Sequence, residues 1–143
     1  MNGAAARAKQ VQPTLLDPAI FLAFDFGLKR TGVATGNRIT RSATPQRSIH
    51  AAGDARWPLV AAQITQWQPD ALVVGVPLHP DGAAHENTRR ARRFAQQLRG
   101  RFRLPVFEVD ERYSTTAALQ AGAKDPDAAA AAIILEQFLS DLP

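Results

Sequence analysis

The chain has 143 residues, enough for one domain with a hydrophobic core that needs no covalent cross-links. It contains no cysteine, which excludes disulfides, thiolate metal sites and cysteine nucleophiles, so any metal must be bound by carboxylate, imidazole or carbonyl groups. The net charge of +4 and the pI of about 10.3 are compatible with a nucleic-acid partner. No stretch has the length and apolar character of a membrane span, and we expect a cytoplasmic protein.

Residues 1–18 are small and polar and lack the apolar core of a secretory signal. We predict that they form a disordered N-terminal extension, which ends at the Asp17-Pro18 pair. Residues 19–143 are then expected to form a single domain.

The domain is predicted to begin with a meander of three strands. Ile20–Phe26 is a nearly continuous apolar run, typical of a central strand that is covered on both faces. Leu28–Thr31 is predicted to be a turn, after which Gly32–Thr35 returns antiparallel and a third strand follows around Ala43–Ile49.

Helices and strands alternate in the rest of the chain. This order predicts an α/β fold, a mixed five-stranded sheet with helices on both faces. Gly75 interrupts an apolar strand and is interpreted as a point of close backbone approach. The predicted elements are a helix at Asp54–Trp67, a strand at Ala71–Val76, a helix with Asn87 or Thr88 as its N-cap that runs to about Arg101, a strand at Leu104–Val109, a helical turn at Thr116–Gln120 and a helix at Asp127–Leu139 with Asp125 as its N-cap.

Asp25 is a carboxylate near the end of the first apolar strand. With a two-residue period it shares one face with Phe21 and Ala23. A buried charge is costly unless it is paired or binds a cation. Either the basic turn Lys29-Arg30 or backbone donors neutralise Asp25, or the residue is a metal ligand.

Acids at two further places are candidate partners. Asp110 and Glu111 end the last strand and point to opposite faces, so only one of them can face Asp25, and the pattern does not tell which. Asp127 lies in the first turn of the last helix, where an acid also offsets the helix dipole. The alternative for the strand-end pair is a salt bridge to Arg112.

If these acids converge, their chemistry suits phosphodiester cleavage. Hard divalent ions such as Mg²⁺ prefer carboxylate oxygens. Two such ions about 3.5–4 Å apart can activate a water molecule and stabilise the leaving oxygen. On this interpretation the ions are held by Asp25, by Asp127 and by one of the two acids at the strand end.

The helix after the middle loop is rich in arginine. Arg89 and Arg93, with Arg92 close by, lie along one side at three- and four-residue spacing. This side is either simply solvated or contacts phosphates, which positions a nucleic acid without reading its sequence. His79 and His85 flank a loop but lack the spacing and the further ligand that a zinc site needs.

Four motifs occur in order along the chain: FDFGLKRTGVATG, LVVGVPLHPDG, FEVDERYST and KDPDAAAAAIILEQFL. Over Ile20–Leu139 their order and spacing resemble the YqgF family, also named RuvX and described as Holliday junction resolvases. The resemblance implies an RNase H-like fold and a cytoplasmic nuclease that uses Mg²⁺ or Mn²⁺. It implies processing of the 5′ end of pre-16S rRNA, with Holliday junction cleavage as the alternative.

The resemblance also implies the site residues. It assigns the catalytic, metal-binding acids to Asp25, Glu111 and Asp127, with Asp110 in reserve. Together with the arginine helix, it predicts a set of residues that contact the nucleic acid: Lys29, Arg30, Arg89, Arg93 and Arg112.

Two other classes of function stay open at this stage. One is a nucleic-acid-binding module of the same fold in which the acids are structural. The other is a nucleotide-phosphate site, because Asp25 to Gly27 with Gly32 resembles the first phosphate loop of sugar kinases and actin-like ATPases. Those proteins close two lobes over the nucleotide, whereas this chain has room for one.

The oligomeric state is also open. Symmetric cleavage of a junction requires a two-fold homodimer, whereas trimming of an RNA end requires only a monomer.

Overall fold

A computed structural model of the chain describes residues 18–79, 81–111 and 122–143. Pro18 already belongs to the ordered fold, because its carbonyl accepts a hydrogen bond of 2.9 Å from Arg38 Nε. The rest of the predicted extension, the predicted helical turn at Thr116–Gln120 and Arg112 lie outside the described residues.

The described residues form strands and helices in the predicted order. The strands are β1 (Ile20–Asp25), β2 (Arg30–Asn37), β3 (Ala43–His50), β4 (Ala71–Pro77) and β5 (Val106–Glu111). The helices are α1 (Arg56–Trp67), which follows a 3₁₀ turn at Gly53–Ala55, α2 (Glu86–Phe102) and α3 (Pro126–Ser140).

The five strands form one mixed sheet in the order β3-β2-β1-β4-β5, which confirms the predicted sheet. The meander β1-β2-β3 is antiparallel, whereas β4 pairs parallel to β1 and β5 pairs parallel to β4. Parallel strands need crossover connections, and α1 and α2 lie in the two crossovers. The carboxyl ends of β1, β4 and β5 therefore lie at the same edge of the sheet.

Helices cover both faces of this sheet, as predicted. On one face α1 and α2 pack over a core that includes Leu22 and Phe24 of the central strand. On the other face α3 packs over Phe21 and Ala23. The sheet is thus the middle layer of three, and each face has its own hydrophobic core.

The N-cap of α2 differs from the prediction. The sequence favours Asn87 or Thr88, but the cap is His85, whose Nδ1 accepts a 3.2 Å hydrogen bond from Asn87 N. Thr88 completes a capping box, because its Oγ1 accepts a 3.0 Å bond from His85 N. The prediction was wrong because an imidazole nitrogen replaces the usual hydroxyl or carboxylate oxygen.

Candidate active site

The pleat of the sheet separates the two acids at the end of β5. Asp25 alternates with Phe21 and Ala23, which face α3. Glu111 alternates with Val109, which packs into the same core. Asp110 alternates with Val106, which belongs to the core under α1 and α2. Glu111 therefore shares the face of Asp25, and Asp110 lies on the opposite face.

The Glu111 carboxylate reaches over the neighbouring strand at Gly75. A Cβ atom added to Gly75 would overlap the Ile134 side chain and would lie 3.2 Å from Glu111 Oε2. Gly75 was interpreted as a point of close backbone approach, but the groups that approach it are the side chains of Ile134 and Glu111. Because β4 lies between β5 and β1, this contact directs Glu111 towards the strand that carries Asp25.

The start of α3 rests on the backbone of β2 directly beside Asp25. Gly32 is the register partner of Asp25 across the β1-β2 ladder. A Cβ atom on Gly32 would overlap the carbonyl oxygen of Asp127, so only glycine permits this approach. The sequence connects Gly32 only with a phosphate-loop resemblance, and its contact with Asp127 was missed, although a glycine within a strand is a known signal of close backbone contact.

Asp125 fixes the first turn of α3 to the edge strand β3. As predicted, it is the N-cap, and its Oδ1 accepts a 3.1 Å bond from Ala128 N. The same carboxylate accepts bonds from Ser48 Oγ at 2.7 Å and from Ser48 N at 3.1 Å. Burial acts to raise the pKa of Asp125, but these hydrogen bonds outweigh it and the pKa is lowered. Ser48 was missed because the sequence gives no sign of this contact.

The pKa of Asp25 is far above its usual value. Burial raises its pKa to about 7, and the negative charges of Glu111 and Asp127 add to the rise. Glu111 and Asp127 are therefore each close enough to Asp25 to repel its charge. Among the described residues no cation pairs with Asp25. These contacts therefore do not support neutralisation of Asp25 by Lys29 or Arg30.

Asp127 is turned towards a different partner. Its Oδ2 lies 2.9 Å from Arg30 Nε, and the two side chains are 28% and 62% exposed. Lys29, the preceding residue in the basic turn, is exposed. Within the described ranges no three His, Asp or Glu side chains are gathered closely enough to bind an ion as they stand.

The donor set nevertheless fits a hard divalent cation. The three side chains are all carboxylates, the ligands that Mg²⁺ and Mn²⁺ prefer. Burial and the charges of Glu111 and Asp127 disfavour the ionised form of Asp25, and a bound cation would stabilise that form. A zinc site around His79 and His85 is not favoured, because His85 Nδ1 already caps α2.

The arginine helix begins at the same edge of the sheet. Thr88 Oγ1 donates a hydrogen bond to the carbonyl of Pro77, which is the register partner of Glu111. The Leu78 N–H donates a 2.8 Å bond to the Glu111 carbonyl. The start of α2 therefore lies at the edge of the sheet where β4 and β5 end.

The arginines of α2 differ in their contacts. Arg92 and Arg99 lie 3.7 Å and 3.3 Å from the Glu108 carboxylate on β5 and so connect the helix to the edge strand. Arg89 lies 3.4 Å from Glu86 on the helix itself. Arg93 is exposed, and no ion pair among the described residues includes it.

Relatives of the chain carry nuclease names. Residues 19–141 match the profile of a family described as "RuvX: Holliday junction resolvase". A protein of Polaromonas sp. (strain JS666), named "Putative pre-16S rRNA nuclease", is 71% identical over 123 residues, which cover 86% of this chain and 89% of that protein. A Burkholderia thailandensis protein with the same name is 53% identical over 132 residues, which cover 87% and 90%.

A solved structure has a similar fold. It is T. thermophilus RuvC in complex with a Holliday junction substrate, with a TM-score of 0.52 and 12% identity over 85% of this chain and 93% of that one. In the part of the chain that the structure describes, no helix has the length and apolar character to cross a membrane. The chain belongs to the RuvX family, as its four motifs predict, and has the RNase H-like fold of RuvC.

Proposed function

We propose that this protein is a metal-dependent nuclease that hydrolyses phosphodiester bonds of pre-16S rRNA, and that residues 19–143 act as a single catalytic domain in the cytoplasm. The observation that carries the proposal is Asp25, a partly buried carboxylate whose pKa is raised by burial and by the charges of Glu111 and Asp127. Perturbed acids at the carboxyl edge of a sheet are typical of catalytic sites. The names of the 71% and 53% identical relatives support this substrate.

Asp25, Glu111 and Asp127 are the residues that would hold Mg²⁺ or Mn²⁺. A bound divalent ion would supply Lewis-acid stabilisation of the phosphate and lower the pKa of a water nucleophile. The protein's own contribution is to fix the carboxylates on rigid elements. Glu111 is directed over Gly75, and α3 is pressed onto Gly32. Asp110 faces away and is not part of the proposed set.

Basic residues on both sides of the acids would bind the phosphate backbone. Lys29 lies on the turn after β1, Arg30 begins β2, and Arg89 and Arg93 lie on the first turns of α2. Arg112, which directly follows Glu111 in the sequence, belongs to the same proposal. Contacts of this kind orient the scissile phosphate without reading bases.

Cleavage of a four-way DNA junction is the second candidate function. It is favoured by the description of the matching family as Holliday junction resolvases. The two functions share the chemistry and the acids, and differ in substrate and in the need for a two-fold dimer.

The test is cleavage of end-labelled pre-16S rRNA leader and of a four-way DNA junction, each with Mg²⁺, Mn²⁺ or a chelator. We expect Asp25→Asn to lower the rate about 10³-fold, because several kcal/mol of transition-state stabilisation depend on the bound ion. Asp110→Asn is the matched control on the opposite face and should retain activity. The substrate that is cut decides between the two functions.

If neither substrate is cut by the wild-type protein but both are bound, the protein is a nucleic-acid-binding module. If Asp25→Asn cuts at the wild-type rate, the proposed site is wrong even though the nuclease function stands.

A further inference from the structure

Asp127 differs from Asp25 in having a cation partner. Its carboxylate lies 2.9 Å from Arg30 Nε, whereas Asp25 beside it has no cation among the described residues. The same Asp127 is one of the three acids proposed to hold the metal. A guanidinium and a divalent ion therefore compete for one carboxylate.

The fold brings Arg30 to this position. Arg30 follows a tight turn in which a Cβ atom on Gly27 would overlap the Arg30 carbonyl. Arg56, only 7% exposed, supports the turn from inside. Its Nη2 donates a 3.0 Å hydrogen bond to the Leu28 carbonyl, and its guanidinium lies 4.7 Å from the centre of the Phe26 ring. The backbone that carries Arg30 is thus anchored in the protein interior.

The backbone that carries Asp127 is equally fixed. It is pressed against Gly32 from one side and held by the Asp125 cap and its Ser48 contacts. What remains free to move are the two side chains. Since the Arg30 side chain is 62% exposed, opening the ion pair releases it into solvent at small cost.

We propose that Arg30 is a resident counter-ion that holds Asp127 away from the other two acids until a divalent ion displaces it. Arg30 is then a positioning residue for the metal site: in the metal-free protein it limits the repulsion between the acids, and after displacement it faces the approaching phosphate. This inference rests on the proposed function, because it assumes that Asp127 is a metal ligand.

The test compares Arg30→Gln with Lys29→Gln, which removes the same charge one residue away without touching Asp127. Mn²⁺ affinity is measured by calorimetry on the whole chain. Because the competing cation is gone, Arg30→Gln should bind Mn²⁺ about two- to fivefold more tightly than wild type, the range expected of an exposed ion pair. Lys29→Gln should change the affinity by less.

Thermal unfolding gives a second measurement that does not depend on cleavage. In EDTA, Arg30→Gln should unfold at a lower temperature than Lys29→Gln, since only the former leaves the acids without their counter-ion. At saturating Mn²⁺ the two variants should unfold at the same temperature.

Mn²⁺ binding separates the counter-ion role of Arg30 from the metal site itself. If wild type binds Mn²⁺ and Arg30→Gln binds it no more tightly than Lys29→Gln, the counter-ion role is overturned and the nuclease proposal stands. If wild type binds no Mn²⁺, both the metal site and the counter-ion role are overturned.

Discussion

The two faces of the sheet are built from different side chains. Under α1 and α2 the core is aromatic: Phe94 stacks on Trp57 at 5.6 Å between ring centres and meets Phe24 edge-on at 5.7 Å. Under α3 the core also contains large side chains such as Phe21 and Leu135, but alanines of the helix and strand glycines let helix and sheet approach closely. Large side chains stabilise a fold by burying area, whereas small ones fix the distance between backbones. The first face therefore provides stability, and the second positions the acids.

The largest effect on stability is expected on the aromatic face. Phe94→Ala should lower the free energy of unfolding by about 3–5 kcal/mol, because it removes a buried ring and leaves a cavity. Chemical denaturation measures the loss. At a temperature where the variant is folded, its Mn²⁺ affinity should equal that of wild type. A large change in metal affinity would show that the two faces are not separate in their roles.

On the α3 face, Gly32→Ala should cost about 2–3 kcal/mol and also weaken metal binding, because the added methyl group displaces the start of α3. Gly100→Ala is the matched control. Nothing lies within 4 Å of a Cβ at Gly100, which is in α2, so this change should be neutral or stabilising by about 0.5–1 kcal/mol. Equal effects of both substitutions would refute the contact with Asp127.

The pH dependence of stability should reveal the charge of Asp25. The folded-state pKa is raised from 3.8 to about 7, so between these values the folded protein keeps a proton that the unfolded chain has lost. The free energy of unfolding therefore falls as pH rises through this range. In EDTA, Asp25→Asn should gain about 2 kcal/mol relative to wild type between pH 4 and pH 8, an amount reduced by solvent screening. Parallel stability curves for the two proteins would contradict the raised pKa.

The smallest effect is expected for the hydrogen bonds that connect Ser48 on β3 with Asp125, the N-cap of α3. Ser48→Ala removes one hydrogen bond to Asp125 and should cost about 1 kcal/mol. Because Asp125 still caps the helix, we expect only a small loss of Mn²⁺ affinity. A loss of affinity as large as that of Gly32→Ala would mean that the Ser48–Asp125 hydrogen bonds, and not the contact of Gly32 with α3, position Asp127.

Much of the fold could be predicted from local sequence pattern. The apolar runs and the Asp125-Pro126 helix start indicate their elements directly, because propensity and capping act within a few residues. The choice between Asp110 and Glu111 could not be made in this way. It depends on the register of β5 against β4, which is set by pairing between distant segments.

The contacts that complete the candidate site are also long-range. Gly32 meets Asp127, Ser48 meets Asp125, and Arg30 pairs with Asp127, each across a large separation in sequence. No local pattern encodes which arginine reaches which acid. Buried Arg56 gave no signal either, because an arginine at the start of a helix is usually exposed.

The position of Asp127 on α3 has a consequence for synthesis of the protein. Asp25 lies on the first described strand and Asp127 on the last described helix, with nearly the whole sheet between them. At about 5–20 residues per second, a ribosome makes the third acid roughly 5–20 s after the first. On the proposed function, a growing chain that still lacks α3 has an incomplete site, so it cannot cut RNA near the ribosome that is making it.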